Sequence, residues 1–149
     1  MSVQPIPPRK RVKSTSPTQR ALAELKKLGY VCQVVERWCA FSRRRIDLFG
    51  VIDLIYLTET SICGVQVTTA TNLAARRTKI LAEPRALAWV KAGGILELWG
   101  VAKRGARGER KMWSITKEEI VAADFEVAES LAAKGESGTT RGLKCQVPP

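Results

Sequence analysis

The sequence predicts an α/β protein with a mixed sheet, in the order helix, three-stranded meander, crossover helix and further strand. Three observations favour this class. Residues 17–28 carry a helix-start signal and a leucine stripe. Residues 51–57 and 63–69 are two strand-like runs joined by a short turn, which predicts a hairpin. A helical segment then precedes a strong strand at residues 95–101, and a strand, helix, strand order predicts a crossover to a parallel neighbour.

The first half of the chain contains a helix and the meander. Ser16 followed by Pro17 is typical of an N-cap with proline at the first helical position, and Gly29 ends the helix. Residues 30–38 are predicted to form the first strand. A basic loop at residues 41–45 then leads into the hairpin.

The second half begins with a helix that Thr71 or Asn72 caps and that Pro84 interrupts. A further helical segment precedes the strand at residues 95–101, and a glycine-containing turn leads to a strand at residues 112–115. Thr116, with Glu119 three residues later, forms a capping box that predicts a last helix ending at about residue 132.

Composition indicates one domain and a polyanionic partner. We expect a flexible basic arm at residues 1–16, a domain at residues 17–132 and a disordered tail at residues 133–149. The 25 Lys and Arg residues outnumber the 14 Asp and Glu residues, for a formal charge of +11. This excess favours nucleic acid as partner, although the lysines and arginines of a soluble basic protein can also serve solvation alone.

Several classes of chemistry are excluded or disfavoured. The chain has no histidine, which excludes a histidine base or a histidine metal ligand. Its four cysteines lack the paired spacing of a zinc site. No apolar run is long enough to span a membrane, and the N-terminus lacks the apolar core of a secretory signal, so we expect a cytoplasmic protein without a membrane partner.

Asp53 is the anomaly within the apolar run at residues 51–57. An unpaired buried carboxylate is costly, so Asp53 is expected to face a metal ion, a cation or a solvated cleft. On the next strand, Gln66 and Thr68 share one face because side chains alternate. Asp53, Gln66 and Thr68 are therefore predicted to converge.

This arrangement resembles the PD-(D/E)XK nuclease superfamily, and within it archaeal Holliday-junction resolvases and small phage nucleases. The resemblance covers residues 18–116 and implies a restriction-endonuclease-like core. In that family the strand aspartate and a following acidic residue hold Mg²⁺ or Mn²⁺, and a lysine two positions on orients the attacking water. Asp53 matches the aspartate, whereas Gln66 stands at the acidic position and Thr68 at the lysine position. The resemblance implies Asp53 and Gln66 as metal ligands and Thr68 as a catalytic-site residue.

Two substitutes for the missing groups are present in the sequence. Glu36 supplies a carboxylate if its side chain enters the same cleft, and otherwise it is an exposed residue paired with an arginine. Lys79 or Arg76 supplies a cation if the predicted second helix faces the cleft, and otherwise each is solvated. Asp47 is expected to cap its loop. The four tryptophans are expected to be core or interface residues.

The resemblance implies a metal-dependent DNA endonuclease that hydrolyses phosphodiester bonds, and its resolvase form implies selectivity for branched or junction DNA. A DNA-binding protein of the same fold without cleavage is the alternative, and a basic structural protein of a nucleoprotein particle is a third interpretation. A homodimer is expected if the resolvase likeness holds, and the compartment is the host cytoplasm if the protein is phage-encoded. The predicted DNA contacts are basic residues of the loop and the second helix: Arg43, Arg44, Arg45, Arg76, Arg77 and Lys79.

Overall fold

Residues 15–136 are described in the computed structural model and form an α/β fold, as predicted. The predicted basic arm and tail lie almost entirely outside the described residues. The described helices are α1 Pro17–Lys27, α2 Leu73–Leu81, α3 Pro84–Lys91 and α4 Ala122–Glu136, with a short 3-10 helix at Ala70–Asn72. The described strands are β1 Val31–Val34, β2 Arg37–Cys39, β3 Arg44–Ile46, β4 Leu54–Leu57, β5 Ile62–Thr69, β6 Ile95–Arg104 and β7 Met112–Ile120.

Five strands form one mixed sheet in the order β1-β4-β5-β6-β7. β1, β4 and β5 are antiparallel neighbours, which confirms the predicted meander. β5 and β6 are parallel and are connected through α2 and α3, which confirms the predicted crossover to a parallel neighbour. β7 returns antiparallel to β6, and β2 pairs only with β3 in a separate two-stranded sheet.

The two faces of the sheet are covered by different helices. Val65 and Val67 of β5 belong to a core that also contains Ala21 and Leu25 of α1. A second core contains Ile80 of α2, residues of α3 and α4, and inward residues of β6. Because side chains alternate along a strand, Gln66 projects to the face that α2 and α3 cover.

The first predicted strand is divided in the structure. β1 ends at Val34 and β2 begins at Arg37, because the backbone N–H groups of Val35 and Glu36 both donate to the carbonyl of Asp53, at 2.9 and 3.3 Å. The chain can then leave the large sheet and form the β2–β3 ribbon. The prediction of one continuous strand at residues 30–38 is therefore wrong, because the strand is interrupted at residues 35 and 36.

The predicted helix start at Thr116 is also wrong. Thr116 and Glu119 lie in β7, which stays paired with β6 as far as Ile120 opposite Leu96. The burial of Ile120 and the nine residue pairs between β6 and β7 stabilise the strand more than a capping box would stabilise a helix starting at Thr116. The helix begins instead at Ala122, where the carboxylate of Asp124 accepts a hydrogen bond from the Val121 N–H at 2.9 Å. Within residues 15–136, no helix has the length and apolar character needed to cross a membrane.

Candidate metal centre

Asp53 lies immediately before β4 and is held by the backbone on both sides. Its N–H donates to the carbonyl of Val65 on β5 at 2.9 Å, and its carbonyl accepts from Val35 beyond the end of β1 at 2.9 Å. The antiparallel register of β4 and β5 pairs Leu54 with Val65, so the next position pairs Asp53 with Gln66. Asp53 is 4% exposed, which places its carboxyl group inside the protein.

The predicted contact between Asp53 and Gln66 is present. Asp53 Oδ2 accepts hydrogen bonds from Gln66 Nε2 at 2.6 Å and from the Val67 N–H at 2.8 Å. Thr68 is buried on the same face two positions further along β5, but within residues 15–136 its side chain forms no hydrogen bond with Asp53. The structure therefore brings Gln66 to Asp53 and leaves Thr68 beside the pair.

Two further carboxylates join Asp53 through the pairing of neighbouring segments. The β2–β3 register pairs Arg37 with Ile46, and one position further it brings Glu36 opposite Asp47. An isolated bridge between Leu48 and Ile52 likewise brings Asp47 opposite Asp53. One carboxylate oxygen from each of Glu36, Asp47 and Asp53 lies within 4.8 Å of the others, and we call these three residues the carboxylate cluster.

The pKa of Asp53 is raised to about 7, from an ordinary value of 3.8. Burial of the carboxyl group is the largest cause, because removal from water disfavours the charged form. The Val67 N–H opposes the shift by stabilising the carboxylate, while the neighbouring Asp47 and Glu36 raise the pKa further. The repulsion among the three carboxylates is unfavourable, and a metal cation bound between them would favour the ionised form of Asp53 instead.

Gln66 supplies a second observation that points to a ligand. Its side chain is 2% exposed, and its Oε1 atom has no hydrogen-bond partner within the described residues. A buried amide oxygen without a partner is costly, by about 1–3 kcal/mol. Carboxylate and amide oxygens are the ligands that Mg²⁺ and Mn²⁺ prefer, so the carboxylate cluster fits either ion. A rotation of the Gln66 amide that exchanges Nε2 and Oε1 would add its oxygen to this donor set beside Asp53.

Two cations adjoin the carboxylate cluster. Lys79 Nζ lies 3.8 Å from Asp47 Oδ2, so Lys79 reaches the cluster from α2. Arg45 forms an ion pair with Glu36, whose side chain is largely buried. Glu36 is therefore paired with an arginine, but it is not the exposed residue of the alternative interpretation, because its carboxylate lies in the cluster.

The predicted DNA contacts divide into two groups. Arg45, Arg77 and Lys79 have carboxylate partners, and Arg77 joins α2 to both Glu118 and Asp124. Arg43 and Arg44 are exposed on the ribbon, and Arg76 lies half-buried on α2. Within residues 15–136, these last three form no ion pair, which leaves their charge available to an external anion.

The sequence interpretation missed Asp47 as a member of the site. Its loop does turn, with the Gly50 N–H bound to the Asp47 carbonyl at 3.0 Å and Gly50 at a φ of 77° that favours glycine. The carboxylate, however, does not cap the loop but joins the cluster. The available signal was the spacing of Asp47 and Asp53, two acids that flank a glycine-containing turn between apolar residues.

The four tryptophans differ in their exposure to solvent. Trp99 is buried, and Trp89 donates to the carbonyl of Ile95 at 2.9 Å, as expected for core residues. Trp38 is 63% exposed on the β2–β3 ribbon. Trp113 is half-exposed on β7, with the guanidinium of Arg20 3.7 Å from its ring centroid.

Searches of protein-family models, of curated proteins and of solved structures find no match to this chain.

Proposed function

We propose that this protein is a metal-dependent deoxyribonuclease that hydrolyses phosphodiester bonds at the carboxylate cluster, with a PD-(D/E)XK-type, restriction-endonuclease-like core. The observation that carries the proposal is the meeting of Glu36, Asp47 and Asp53 beside Gln66, whose buried amide oxygen has no hydrogen-bond partner among residues 15–136. Further support comes from the helix, meander, crossover and parallel strand, with Asp53 and Gln66 on adjacent strands. The charge of +11 favours DNA as the substrate.

The residues of the site have different roles in hydrolysis. The oxygens of Asp53, Asp47, Glu36 and Gln66 would hold Mg²⁺ or Mn²⁺, and this metal supplies Lewis-acid stabilisation of the charge that develops on the phosphate. Asp53 must release its proton to become a ligand, so metal binding competes with protonation of a carboxyl group whose pKa is about 7 before metal binds, and metal affinity falls as pH decreases below that value. Lys79 holds a positive charge beside Asp47 and orients that carboxylate. The exposed arginines of the ribbon bind the DNA backbone.

Binding of DNA without cleavage is the second candidate function. The observation that favours it is Thr68, whose buried hydroxyl group cannot replace an ammonium group in positioning a water molecule. Lys79 is nearest to Asp47 and approaches from α2 rather than from β5. In this case the basic surface would recognise DNA, and the cluster would bind a cation for stability alone.

Cleavage assays separate the two functions. The wild type is incubated with linear duplex, single-stranded and four-way DNA, each with Mg²⁺, Mn²⁺ or EDTA. We expect cleavage with either metal, none with EDTA, and none from Asp53→Asn. Glu59→Gln, which changes an exposed acid in the β4–β5 turn, is the matched control and should cut at the wild-type rate. DNA binding without cleavage under every condition would favour the second function.

The same assay addresses the proposed substrate preference and assembly. Selectivity for four-way DNA would support the junction-directed form of the proposal, and a two-fold symmetric homodimer is then expected because a junction offers two equivalent strands. Sedimentation of the protein with and without four-way DNA measures this stoichiometry. Equal cleavage of linear and four-way DNA by a monomer would contradict the junction-directed form.

A further inference from the structure

The β2–β3 ribbon is a cationic projection at the edge of the site. It pairs Trp38 with Arg45 and Cys39 with Arg44, and it belongs to a sheet separate from the five-stranded one. Residues 37–46 contain four arginines and no acidic residue. An isolated two-stranded ribbon gains little from its own packing, so this charge pattern indicates a surface for a polyanion.

The ribbon also presents two aromatic side chains to solvent. Phe41, at the end of the ribbon, is 100% exposed, and Trp38 is 63% exposed. Within the described residues, neither ring stacks on another ring or lies beneath a cation. Aromatic rings interleaved with arginines provide stacking surfaces together with phosphate contacts.

The strand register relates Trp38 to the carboxylate cluster. Trp38 and Arg45 form one cross-strand pair of the ribbon. Glu36 and Asp47 lie opposite each other two residues away, on the same face of the ribbon and nearer to the large sheet. Two residues of a strand span about 6.6 Å. A group stacked on Trp38 therefore lies next to the cluster and on its side of the ribbon.

We propose that the β2–β3 ribbon holds an unpaired nucleotide of a DNA strand, with its base stacked on Trp38 and an adjacent phosphate bound by Arg43 in the turn between the two strands. This inference rests on the proposed function and specifies its substrate as DNA with an unpaired segment beside the cleaved bond. A base within a duplex shows only its edges in the grooves, whereas an unpaired base offers the face that stacks on an indole ring. Phe41 provides a second apolar contact at the end of the ribbon.

The test measures binding with EDTA present, so it does not depend on hydrolysis. Fluorescence anisotropy gives the affinities of the wild type, Trp38→Ala and Trp38→Phe for a single strand containing aminopurine and for the matching duplex. We expect Trp38→Ala to lose about tenfold or more in affinity for the single strand and less than about twofold for the duplex, since stacking on one base contributes on this scale. Trp38→Phe should retain most of the affinity, and aminopurine quenching should weaken only in Trp38→Ala.

A control variant and two contrary results complete the test. Val127→Ala removes an exposed apolar side chain from α4 and should change neither affinity. If Trp38→Ala loses equal affinity for single strand and duplex, or loses no affinity, the stacking role of Trp38 is overturned even if the wild type cleaves DNA. If Trp38→Ala loses affinity selectively for the single strand but the wild type cleaves no DNA, the role of the ribbon is upheld and the proposed nuclease function is overturned.

Discussion

Asp53→Asn is expected to change the pH dependence of stability when no metal is present. The pKa of Asp53 is about 7 in the folded protein and 3.8 in the unfolded reference, so the folded protein keeps its proton over a range where the unfolded chain has lost it. Because the folded state binds more protons in this range, stability falls as pH rises from about 4 to about 7. The full effect is about 4 kcal/mol, and somewhat more than half of it falls between about pH 5 and about pH 8.

Asparagine removes this ionisation with little change in shape. With its Oδ1 at the position of Asp53 Oδ2, asparagine can accept from both the Gln66 amide and the Val67 N–H, so both hydrogen bonds are kept while the ionisable group is lost. The variant should therefore lose less stability than the wild type as pH rises. At about 3–4 °C per kcal/mol, the difference in the Tm change between the two pH values is about 8–10 °C.

Thermal melting of both proteins in EDTA, at about pH 5 and about pH 8, checks this expectation. Parallel Tm changes in the two proteins would refute the argument, because they would show that Asp53 titrates at its ordinary pKa in the folded state. Repeating the melts with Mg²⁺ measures how much a bound metal ion stabilises each protein. Metal at about 100 times its dissociation constant should stabilise the wild type by about 2.7 kcal/mol and should have little effect on Asp53→Asn.

The remaining predictions concern Gln66 and the two arginines of α2. Gln66→Glu should tighten Mn²⁺ binding and lower the Tm in EDTA above neutral pH, because it adds a fourth carboxylate to the cluster, on a side chain whose amide lies 2.6 Å from Asp53 Oδ2. An equal metal response in variant and parent, measured by melting, would show that Gln66 is not a ligand. Arg77→Ala should destabilise the protein by about 1–2 kcal/mol through loss of its partly exposed ion pairs with Glu118 and Asp124, and denaturant unfolding measures this. Arg76→Ala should leave stability nearly unchanged but lower the slope of log DNA affinity against log salt by about 0.9; an unchanged slope would remove Arg76 from the DNA surface.

The sequence allowed prediction of the sheet order around the site but not of the full site. Alternation along residues 63–69 placed Gln66 and Thr68 on one face, and the adjacent run placed Asp53 against Gln66, since hairpin register follows from local chain order. The recruitment of Glu36 and Asp47 depends on the break between β1 and β2, which exists because both N–H groups there bond to the Asp53 carbonyl. Such a bond between distant segments has no local signal.

The last helix shows the opposite failure, in which a local signal was overridden. Thr116 and Glu119 match a capping box, but their backbone groups pair with β6, and the strand continues until Ile120 is buried. Similarly, the run of basic residues at positions 76–79 gave no indication that Arg77 is engaged with acids on β7 and α4 while Lys79 reaches Asp47. Partners of this kind are determined by packing of the helices on the sheet.

Binding of Mn²⁺ to the protein without DNA tests the central claim most directly. Electron paramagnetic resonance of free Mn²⁺, titrated with protein at about pH 8, gives the number of bound ions and their affinity. The carboxylate cluster predicts saturable binding by the wild type, severe loss of affinity in Asp53→Asn and in Asp47→Asn, and unchanged binding in Glu59→Gln. Wild-type binding that is absent, or equally strong in all four proteins, would contradict a metal centre at Glu36, Asp47 and Asp53.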